Sequence, residues 1–270
     1  MLAVAMEWCK MKIGNYEVIR QIGEGGFART YEARHILLGE KACLKQNINL
    51  TDEDEKLLRK EAKLIWNIHH HSLPALRDYF LTSDGSAVLA MSFIEGKELD
   101  KSVKKHKAIH PEDVAWISQR LLNALYYLHS NGIVHCDVKP ANIIVQPADH
   151  NAVLVDYGLS SLRPKRMSKA EGYTAIFAAP ELIEGKPPLP ESDLYSLGIT
   201  MIYALGGDPI TKKMPDYVPK QLQEYYLSLT VYNPKDRPRW ETGDLVKRLS
   251  DVREEVFGRR NSKGLENKLF

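Results

Sequence analysis

Three short segments near the start of the chain, residues 16–22, 30–33 and 41–46, carry the mixed apolar and polar pattern of β-strands. Glycine-bearing turns at residues 23–26 and at Gly39 separate them. Strands this short, joined by turns this tight, favour pairing between sequence neighbours. The pattern therefore predicts a small antiparallel sheet at the beginning of the chain.

A helical pattern follows this sheet. Thr51 with Asp54 opens it, and acidic residues crowd its first turn, where the partial positive charge of a helix lies. The residues that share one face are Leu57, Leu58, Glu61, Leu64, Ile65 and Ile68. Two further predicted strands, residues 75–81 and 87–93, flank the turn at residues 83–85. One helix is thus expected between strands of the first part of the chain.

The periodicity changes after Gly96. Pro111 starts a helix that Asn131-Gly132 ends, and its apolar residues recur at intervals of three and four: Val114, Ile117, Leu121, Leu125 and Leu128. Residues 143–145 and 152–155 are predicted to pair as two short strands, and residues 193–205 to form another helix. The second part of the chain is therefore expected to be mainly helical.

These patterns predict an α+β protein with two lobes. The expected N-lobe covers residues 16–94, with a small antiparallel sheet and one helix, and the larger C-lobe covers residues 95–257. Residues 1–15 are an expected N-terminal extension, and residues 258–270 an expected polar tail that has little to bury. The join falls near residues 92–96.

Composition and charge narrow the classes of function. The 270 residues are 44% hydrophobic and 27% charged, as in a soluble globular protein. Lys and Arg number 37 against 35 Asp and Glu, a balance that argues against a nucleic-acid partner. The longest apolar stretch, residues 194–205, is too short and too interrupted to span a membrane. Three scattered cysteines suggest reduced thiols and a cytoplasmic location.

The first candidate for chemistry is a glycine-rich turn between two strands, with the sequence Gly23-Glu24-Gly25-Gly26-Phe27-Ala28. Positions without a side chain let backbone N–H groups approach phosphate oxygens, although an ordinary hairpin turn has the same look. Lys45 follows on the third strand, and Glu61 lies on the helical face expected to pack against the sheet. An ion pair between Lys45 and Glu61 could hold the lysine ready for nucleotide phosphates. The alternative is an ordinary ion pair on the protein surface.

The second candidate is the segment His135-Cys136-Asp137-Val138-Lys139-Pro140-Ala141-Asn142, with Asp156-Tyr157-Gly158 following 14 residues after Asn142. Phosphoryl transfer requires an aspartate that accepts a hydroxyl proton, a lysine for the transferred phosphate, and an asparagine and an aspartate for Mg²⁺. The two segments contain these four residues, in the order Asp137, Lys139, Asn142 and Asp156.

With these motifs the sequence resembles the eukaryotic-type (Hanks-type) protein kinases, over about residues 16–250. Ala179-Pro180-Glu181 matches the end of the activation segment, residues 192–198 match the helix that anchors the catalytic loop, and Asn233-Pro234 to Arg237-Pro238 match the late arginine of the family. The resemblance implies the two-lobed protein kinase fold.

The resemblance also implies roles for single residues. Lys45 would contact the α and β phosphates of ATP, with Glu61 orienting it, while Asp137 would be the catalytic base and Lys139 would neutralise the γ-phosphate. The positions that it assigns to ATP binding are Ile22, Gly23, Glu24, Gly25, Gly26, Phe27, Ala28, Thr30, Cys43, Lys45, Glu61, Met91, Ser92, Phe93, Ile94 and Ile144. Met91 would be the gatekeeper, followed by the hinge that meets adenine.

Further positions are assigned to the metal and to the activation segment. Asn142 and Asp156 would hold Mg²⁺, with Mn²⁺ as an alternative. The residues implied to support the loop and the segment are His135, Tyr157, Gly158, Thr174, Glu181, Asp193 and Arg237. Glu181 would pair with Arg237, and His135 is interpreted as a core histidine. Lys139 together with Thr174 indicates the serine/threonine branch.

Several positions depart from the family pattern. Cys136 stands where the family usually has the arginine that can receive an activation-loop phosphate, so we expect activity that does not require phosphorylation of residues 159–178. Ala28, Thr30, Cys43 and Tyr157 are smaller changes that leave room for ATP.

A larger departure follows the anchoring helix. Only 44 positions separate Asp193 from Arg237, and Pro209, Pro215 and Pro219 lie between them. The helix that often docks protein substrates there is therefore expected to be shortened or absent, and substrate recognition to be atypical.

Three functions compete at this point. The preferred one is a serine/threonine protein kinase that uses Mg²⁺-ATP and acts on a protein substrate or on itself by autophosphorylation. The alternative is a pseudokinase, a nucleotide-binding or scaffolding module, which the changes at Ala28 and Cys136 and the shortened C-lobe would suit. A small-molecule kinase shares the phosphate chemistry, but the segment that ends at Glu181 argues for the protein kinases. The sequence does not indicate the oligomeric state.

Overall fold

The computed structural model describes residues 11–260, which divide into two compact units. The first unit contains the residues up to Ile68 together with Pro74–Ile94, and the second contains His69–Leu73 and the residues from Glu95 onward. Most of the expected N-terminal extension and of the expected polar tail, residues 1–10 and 261–270, lies outside the described residues.

The first unit is built on an antiparallel sheet of six strands in the order β1-β2-β3-β4-β6-β5. The strands are β1 Lys12–Ile13, β2 Tyr16–Glu24, β3 Ala28–His35, β4 Lys41–Asn47, β5 Leu76–Leu81 and β6 Ala87–Ser92. One face of the sheet buries a cluster that includes Tyr31, Leu44 and Val88. The predicted small antiparallel sheet is confirmed, and its first three predicted strands are extended by one or two residues at their ends.

Helix α1 spans Asp52–Ile65 and packs against this sheet. The hydroxyl oxygen of Thr51 accepts a hydrogen bond from the backbone N–H of Asp54 at 3.2 Å, which satisfies one of the unpaired donors at the helix start. Leu58 and Ile65 are fully buried. The apolar face fixes the rotation of the helix, so Glu61 on the same face also turns inward.

The second unit is mainly helical, as the periodicity predicts. Its helices are α2 Leu99–His106, α3 Pro111–Ser130, α4 Pro180–Ile183, α5 Pro190–Ala204, α6 Lys220–Leu229 and α7 Leu245–Phe257. Its short strands are β7 Lys97–Glu98, β8 Ile133–Val134, β9 Ile143–Gln146, β10 Asn151–Leu154 and β11 Ser161–Leu162. Strands β9 and β10 pair antiparallel, in agreement with the expected hairpin.

Helix α5 forms the core of the second unit, with α3 and α6 packed against it. A Cβ atom at Gly198 would lie 2.6 Å from Cγ2 of Thr230 and 3.2 Å from the carbonyl oxygen of Tyr226. A side chain at this position would therefore push α6 away. The close approach holds α5 firmly, and Asp193 in its first turn is fully buried.

Residues 205–219 contain turns and no helix in the part of the chain that the structure describes. A side-chain oxygen of Asp208 accepts hydrogen bonds from the backbone N–H groups of Ile210 and Thr211, and α6 begins only after Pro219. This agrees with the expectation of a shortened or absent helix after α5. Among residues 11–260, no helix is both long and apolar enough to cross a membrane.

Candidate functional site

The glycine-rich turn joins β2 to β3 in the first unit. Its backbone closes through a hydrogen bond of 2.9 Å from the N–H of Gly25 to the carbonyl oxygen of Ala28. Residues 23–26 are exposed, and a Cβ atom at Gly26 would meet nothing within 4 Å. The backbone of this turn is thus open to a ligand, which is the property that phosphate binding through N–H groups requires.

Lys45 and Glu61 form a buried ion pair. The ammonium nitrogen of Lys45 lies 2.8 Å and 3.0 Å from the two carboxylate oxygens of Glu61, and the two side chains are 11% and 2% exposed. The same ammonium lies 5.3 Å from the ring centroid of Phe27, so it reaches the base of the glycine-rich turn. The first unit therefore holds one fixed cation beside an accessible run of backbone donors.

The expected gatekeeper and hinge lie at the end of β6. Met91 pairs with Cys43 across the sheet, and Thr30 pairs with Lys45. The N–H of Ser92 donates to the carbonyl oxygen of Ala75 at 2.8 Å, and its hydroxyl oxygen accepts from the N–H of the same residue at 2.9 Å. The sheet thus fixes this segment. Ile144, the remaining expected adenine contact, lies on β9 of the second unit.

In the second unit, Asp137 lies at the centre of a hydrogen-bonded set. One carboxylate oxygen accepts from the amide of Asn142 at 3.0 Å and lies 2.7 Å from the ammonium of Lys139. The other accepts from the hydroxyl of Thr174 at 2.8 Å, and that hydroxyl oxygen accepts from Lys139 at 2.9 Å. An oriented carboxylate and an adjacent cation are the groups that move a hydroxyl proton and stabilise a phosphoryl group.

Asn142 and Asp156 offer oxygen donors for a hard cation. The amide nitrogen of Asn142 donates to both the backbone carbonyl and the side chain of Asp137, which leaves its Oδ1 for another partner. Asp156 is exposed and its backbone is left-handed, with φ of 68°. Amide and carboxylate oxygens are the donors that Mg²⁺ prefers, so the donor set fits this ion.

Asp193 holds the backbone of the loop that leads to Asp137. Its Oδ2 accepts from the N–H of His135 at 2.7 Å, and its Oδ1 accepts from the N–H of Cys136 at 2.8 Å. Cys136 is left-handed, with φ of 66°, a conformation that costs about 1–3 kcal/mol for a residue other than glycine. The two charge-assisted bonds offset that strain and fix the chain immediately before Asp137.

His129 and Trp240 extend this set of hydrogen bonds, and sequence reasoning missed both. Nε2 of His129 lies 2.8 Å from the Oδ2 of Asp193, and the indole N–H of Trp240 donates to Nδ1 of His129 at 2.8 Å. Because an indole nitrogen can only donate, Nδ1 must accept, so Nε2 carries the proton and donates to Asp193. No local pattern reveals a contact between residues 111 positions apart.

Replacing Trp240 with phenylalanine should lower the free energy of unfolding by about 1–3 kcal/mol, because the buried Nδ1 of His129 loses its donor. It should also lower kcat with little change in KM for ATP, because Asp193 is then held less firmly. Urea denaturation and steady-state kinetics measure the two effects. Trp66→Phe, at a side chain that is 62% exposed, is the control, and equal effects of the two variants would contradict the assignment.

His135 and Tyr157 support the loop from inside. His135 is fully buried, and burial lowers the pKa of its imidazole even though the nearby aspartates act in the opposite direction. Its Nδ1 accepts from the backbone N–H of Asp137 at 3.3 Å, and its ring lies 5.7 Å from that of Tyr157. A neutral, enclosed imidazole agrees with its interpretation as a core histidine and not a base.

Glu181 and Arg237 form a second buried ion pair. Two guanidinium nitrogens of Arg237 donate to the two carboxylate oxygens of Glu181 at 2.7 Å and 2.8 Å. Burial alone would raise the pKa of the Glu181 carboxyl, but the hydrogen bonds from Arg237 and Ser192 outweigh it and hold that pKa below its ordinary value. The pair ties α4 to the segment before α7.

Comparison with known proteins adds a family match. Residues 16–256 match the model of a family described as "Protein kinase domain". The chain is 32% identical to Serine/threonine-protein kinase D of Synechocystis sp. over 222 residues, covering 75% of this chain and 42% of that protein. It is 29% identical to Serine/threonine-protein kinase B of the same organism over 214 residues, covering 72% and 37%.

A mammalian relative is covered more completely. Aurora kinase C of Mus musculus is 28% identical over 245 residues, which cover 83% of this chain and 88% of that protein. The two Synechocystis kinases are longer, and the alignment spans only about two fifths of their length.

Proposed function

Because the chain belongs to the protein kinase family, we propose that it transfers the γ-phosphate of ATP to a serine or threonine hydroxyl of a protein substrate, with Mg²⁺ at Asn142 and Asp156. The observation that carries this proposal is the contact of Asp137 with both Lys139 and Thr174. A proton acceptor and a cation are thereby held side by side, as in-line phosphoryl transfer requires. The names of the relatives support a serine/threonine kinase.

In the proposed reaction, the carboxylate of Asp137 accepts the proton of the substrate hydroxyl. The hydroxyl oxygen forms a bond to the γ-phosphorus while the bond from that phosphorus to the β–γ bridging oxygen breaks, and ADP leaves. Lys139 neutralises charge on the transferred group, and Lys45 binds the α and β phosphates. Mg²⁺, when bound, would supply further neutralisation of phosphate charge.

Thr174 has a positioning role in this proposal. Its hydroxyl donates to Asp137 and accepts from Lys139, so it holds the carboxylate and the ammonium in one arrangement. A side chain of this kind fixes catalytic groups before the substrate arrives. Lys139 and Thr174 are also the residues on which the resemblance to the serine/threonine branch rests.

The direct test is the intact mass of the purified chain after incubation with Mg²⁺-ATP and with a mixture of candidate protein substrates. Added phosphate that disappears with EDTA and in Asp156→Asn would support the proposal. Thermal melting with and without nucleotide is recorded in parallel. Nucleotide that raises the melting temperature while no phosphate is transferred to any protein would overturn the proposal in favour of a pseudokinase scaffold.

We further propose that activity does not require phosphorylation of the activation segment. Cys136, where the family usually has arginine, is buried, and its thiol lies 3.5 Å from the carbonyl oxygen of Val134. Position 136 therefore provides no cation for a phosphate. Ser160 is also buried and donates to the carbonyl oxygen of His135 at 3.2 Å, which argues against its modification in the folded chain.

Phosphatase treatment should therefore leave kcat unchanged, and Ser168→Ala should match the untreated wild type. Ser168 is the informative position because its hydroxyl oxygen only accepts from the backbone N–H of Lys165, away from Asp137. Phosphate transfer to a protein substrate is measured before and after treatment, with removal of phosphate checked by intact mass. A loss of activity that returns on rephosphorylation would contradict the proposal.

A further inference from the structure

A cavity of about 550 Å³ lies within the second unit, away from Asp137 and Lys139. Helix α3 contributes Trp116 and Arg120 to its wall, helix α7 contributes Arg253, and the turn between β9 and β10 contributes His150. Four charged side chains of the lining are cationic and one, Asp244, is anionic, although Lys247 and Arg260 form ion pairs with Asp251 and Glu254 outside the lining. The cationic ones are Arg120, Lys247, Arg253 and Arg260. The size is that of a small-molecule site.

Arg253 is the most unusual of these residues. It is only 1% exposed, yet its Nε and Nη2 atoms have no hydrogen-bond partner. Its Nη1 donates to the amide oxygen of Gln119, which is uncharged. A buried guanidinium is costly unless a counter-charge and hydrogen bonds compensate it, as Glu181 compensates Arg237. Burial lowers the pKa of the Arg253 guanidinium, and the carboxylate that most opposes this shift, Glu112, is hydrogen-bonded to Arg259 instead.

Further donors without partners line the same cavity. Nε of Arg120 and the indole Nε1 of Trp116 are also buried and unpaired. Together with the two atoms of Arg253, four buried side-chain nitrogens of these three lining residues lack a hydrogen-bond partner. All four are donors. The cavity wall therefore holds several buried N–H groups without hydrogen-bond partners, and a ligand that pairs with them must carry hydrogen-bond acceptors.

The positive charge of the cavity also acts on His150. The ring of His150 lies 4.3 Å from that of Trp116. Burial lowers the pKa of this imidazole, and Arg120 and Arg253 lower it further. Both guanidinium groups are thus close enough to disfavour another cation. Arg120 on α3 and Arg253 on α7 therefore both lie near His150.

We propose that this cavity binds a small phosphate-bearing anion. A phosphate group has several acceptor oxygens and no obligatory donor, so it complements a set made only of N–H donors. The planar fork of an arginine matches two of its oxygens. Because Arg253 lies at 1% exposure, a compact ligand that enters the cavity fits better than a flat membrane surface. The site shares no residue with the proposed kinase site.

The test measures the melting temperature of the full chain in sodium pyrophosphate against sodium chloride of equal ionic strength. Pyrophosphate is also a fragment of ATP, so each measurement is repeated in a chain that carries both Lys45→Met and Asp156→Asn. At a hundredfold excess over Kd, a rise of about 5 °C is expected in both chains. Pyrophosphate that stabilises only the chain with Lys45 and Asp156 intact would overturn the proposal.

Two variants locate the effect and one controls for charge. Arg253→Met should abolish the rise in melting temperature, and Arg120→Met, which alters a less buried position, should at least halve it. Arg248→Met removes the same charge from an exposed position of α7 outside the cavity lining and should leave the rise intact. A rise that persists in both cavity variants would overturn the proposal.

A second arm separates a free anion from a lipid headgroup. Vesicles of phosphatidylcholine that contain phosphatidylinositol phosphate are sedimented with the wild type and with Arg253→Met. We expect neither chain to sediment with the vesicles. Binding to the vesicles that Arg253→Met removes, without any stabilisation by pyrophosphate, would overturn the small-anion proposal and assign the cavity to a membrane headgroup.

Discussion

Replacing Asp137 with asparagine should lower kcat for phosphate transfer by about 10²–10⁴-fold, the contribution of a positioned general base. KM for ATP should stay close to that of the wild type, because the lost interaction acts on the substrate hydroxyl in the transition state. The substitution keeps the size of the side chain, but the amide has one acceptor oxygen, so only one of the hydrogen bonds from Asn142 and Thr174 is retained unchanged. Transfer of radiolabelled phosphate to a protein substrate measures the effect.

Asp149→Asn is the matched control for this experiment. Asp149 is exposed, lies in the turn between β9 and β10, and interacts only weakly with Gln146 at 3.4 Å. The same loss of one charge there should change kcat little. If Asp137→Asn retained a third or more of the wild-type kcat, the carboxylate of Asp137 would not be the proton acceptor and the proposed reaction would fail.

Replacing Arg237 with methionine should lower the free energy of unfolding by about 3–5 kcal/mol, because it leaves the Glu181 carboxylate buried without its partner. The Arg237 side chain is fully buried, and it also donates to the carbonyl oxygens of Val231 and Tyr232. Urea denaturation measures the loss. Arg239→Met, two residues away at a side chain that is 38% exposed, should cost less than about 1 kcal/mol.

The same ion pair sets a dependence on pH. The folded-state pKa of Glu181 lies below the ordinary 4.5, so the pair stabilises the protein above that pH. The contribution is lost as the pH falls through the lower folded-state value. The double variant Glu181→Gln with Arg237→Met should lose less stability than the sum of the single variants. Strict additivity would contradict the coupling.

Much of the fold is predictable from the sequence because local chemistry specifies it. The apolar period of α3 and its Pro111 start give the helix nearly to the residue, and the Thr51 cap does the same for α1. The predicted strands of the first unit are also present. A local pattern is enough to predict such elements, because the residues of their buried face recur at short, regular intervals in the sequence.

Only part of the candidate site is predictable from the sequence, namely the residues that lie close together in one loop. The spacing within the segment 135–142 identifies Asp137, Lys139 and Asn142 as a set, because these side chains project from one loop. Short elements such as β7 and α2, which receive their stability from packing, have no pattern of their own. The donors around Arg253 come from helices far apart in sequence, so only the folded chain shows that these buried N–H groups lack hydrogen-bond partners.

The hydrogen bonds that Asp193 accepts make the order of the loop before Asp137 measurable. The carboxylate of Asp193 accepts the backbone N–H groups of His135 and Cys136, two neighbouring amides in a buried environment. Neither amide can exchange its hydrogen with solvent unless α5 and the loop separate, so both should exchange slowly and together. Their deuterium uptake therefore reports how well the loop is ordered, and measuring it requires neither nucleotide nor a known substrate.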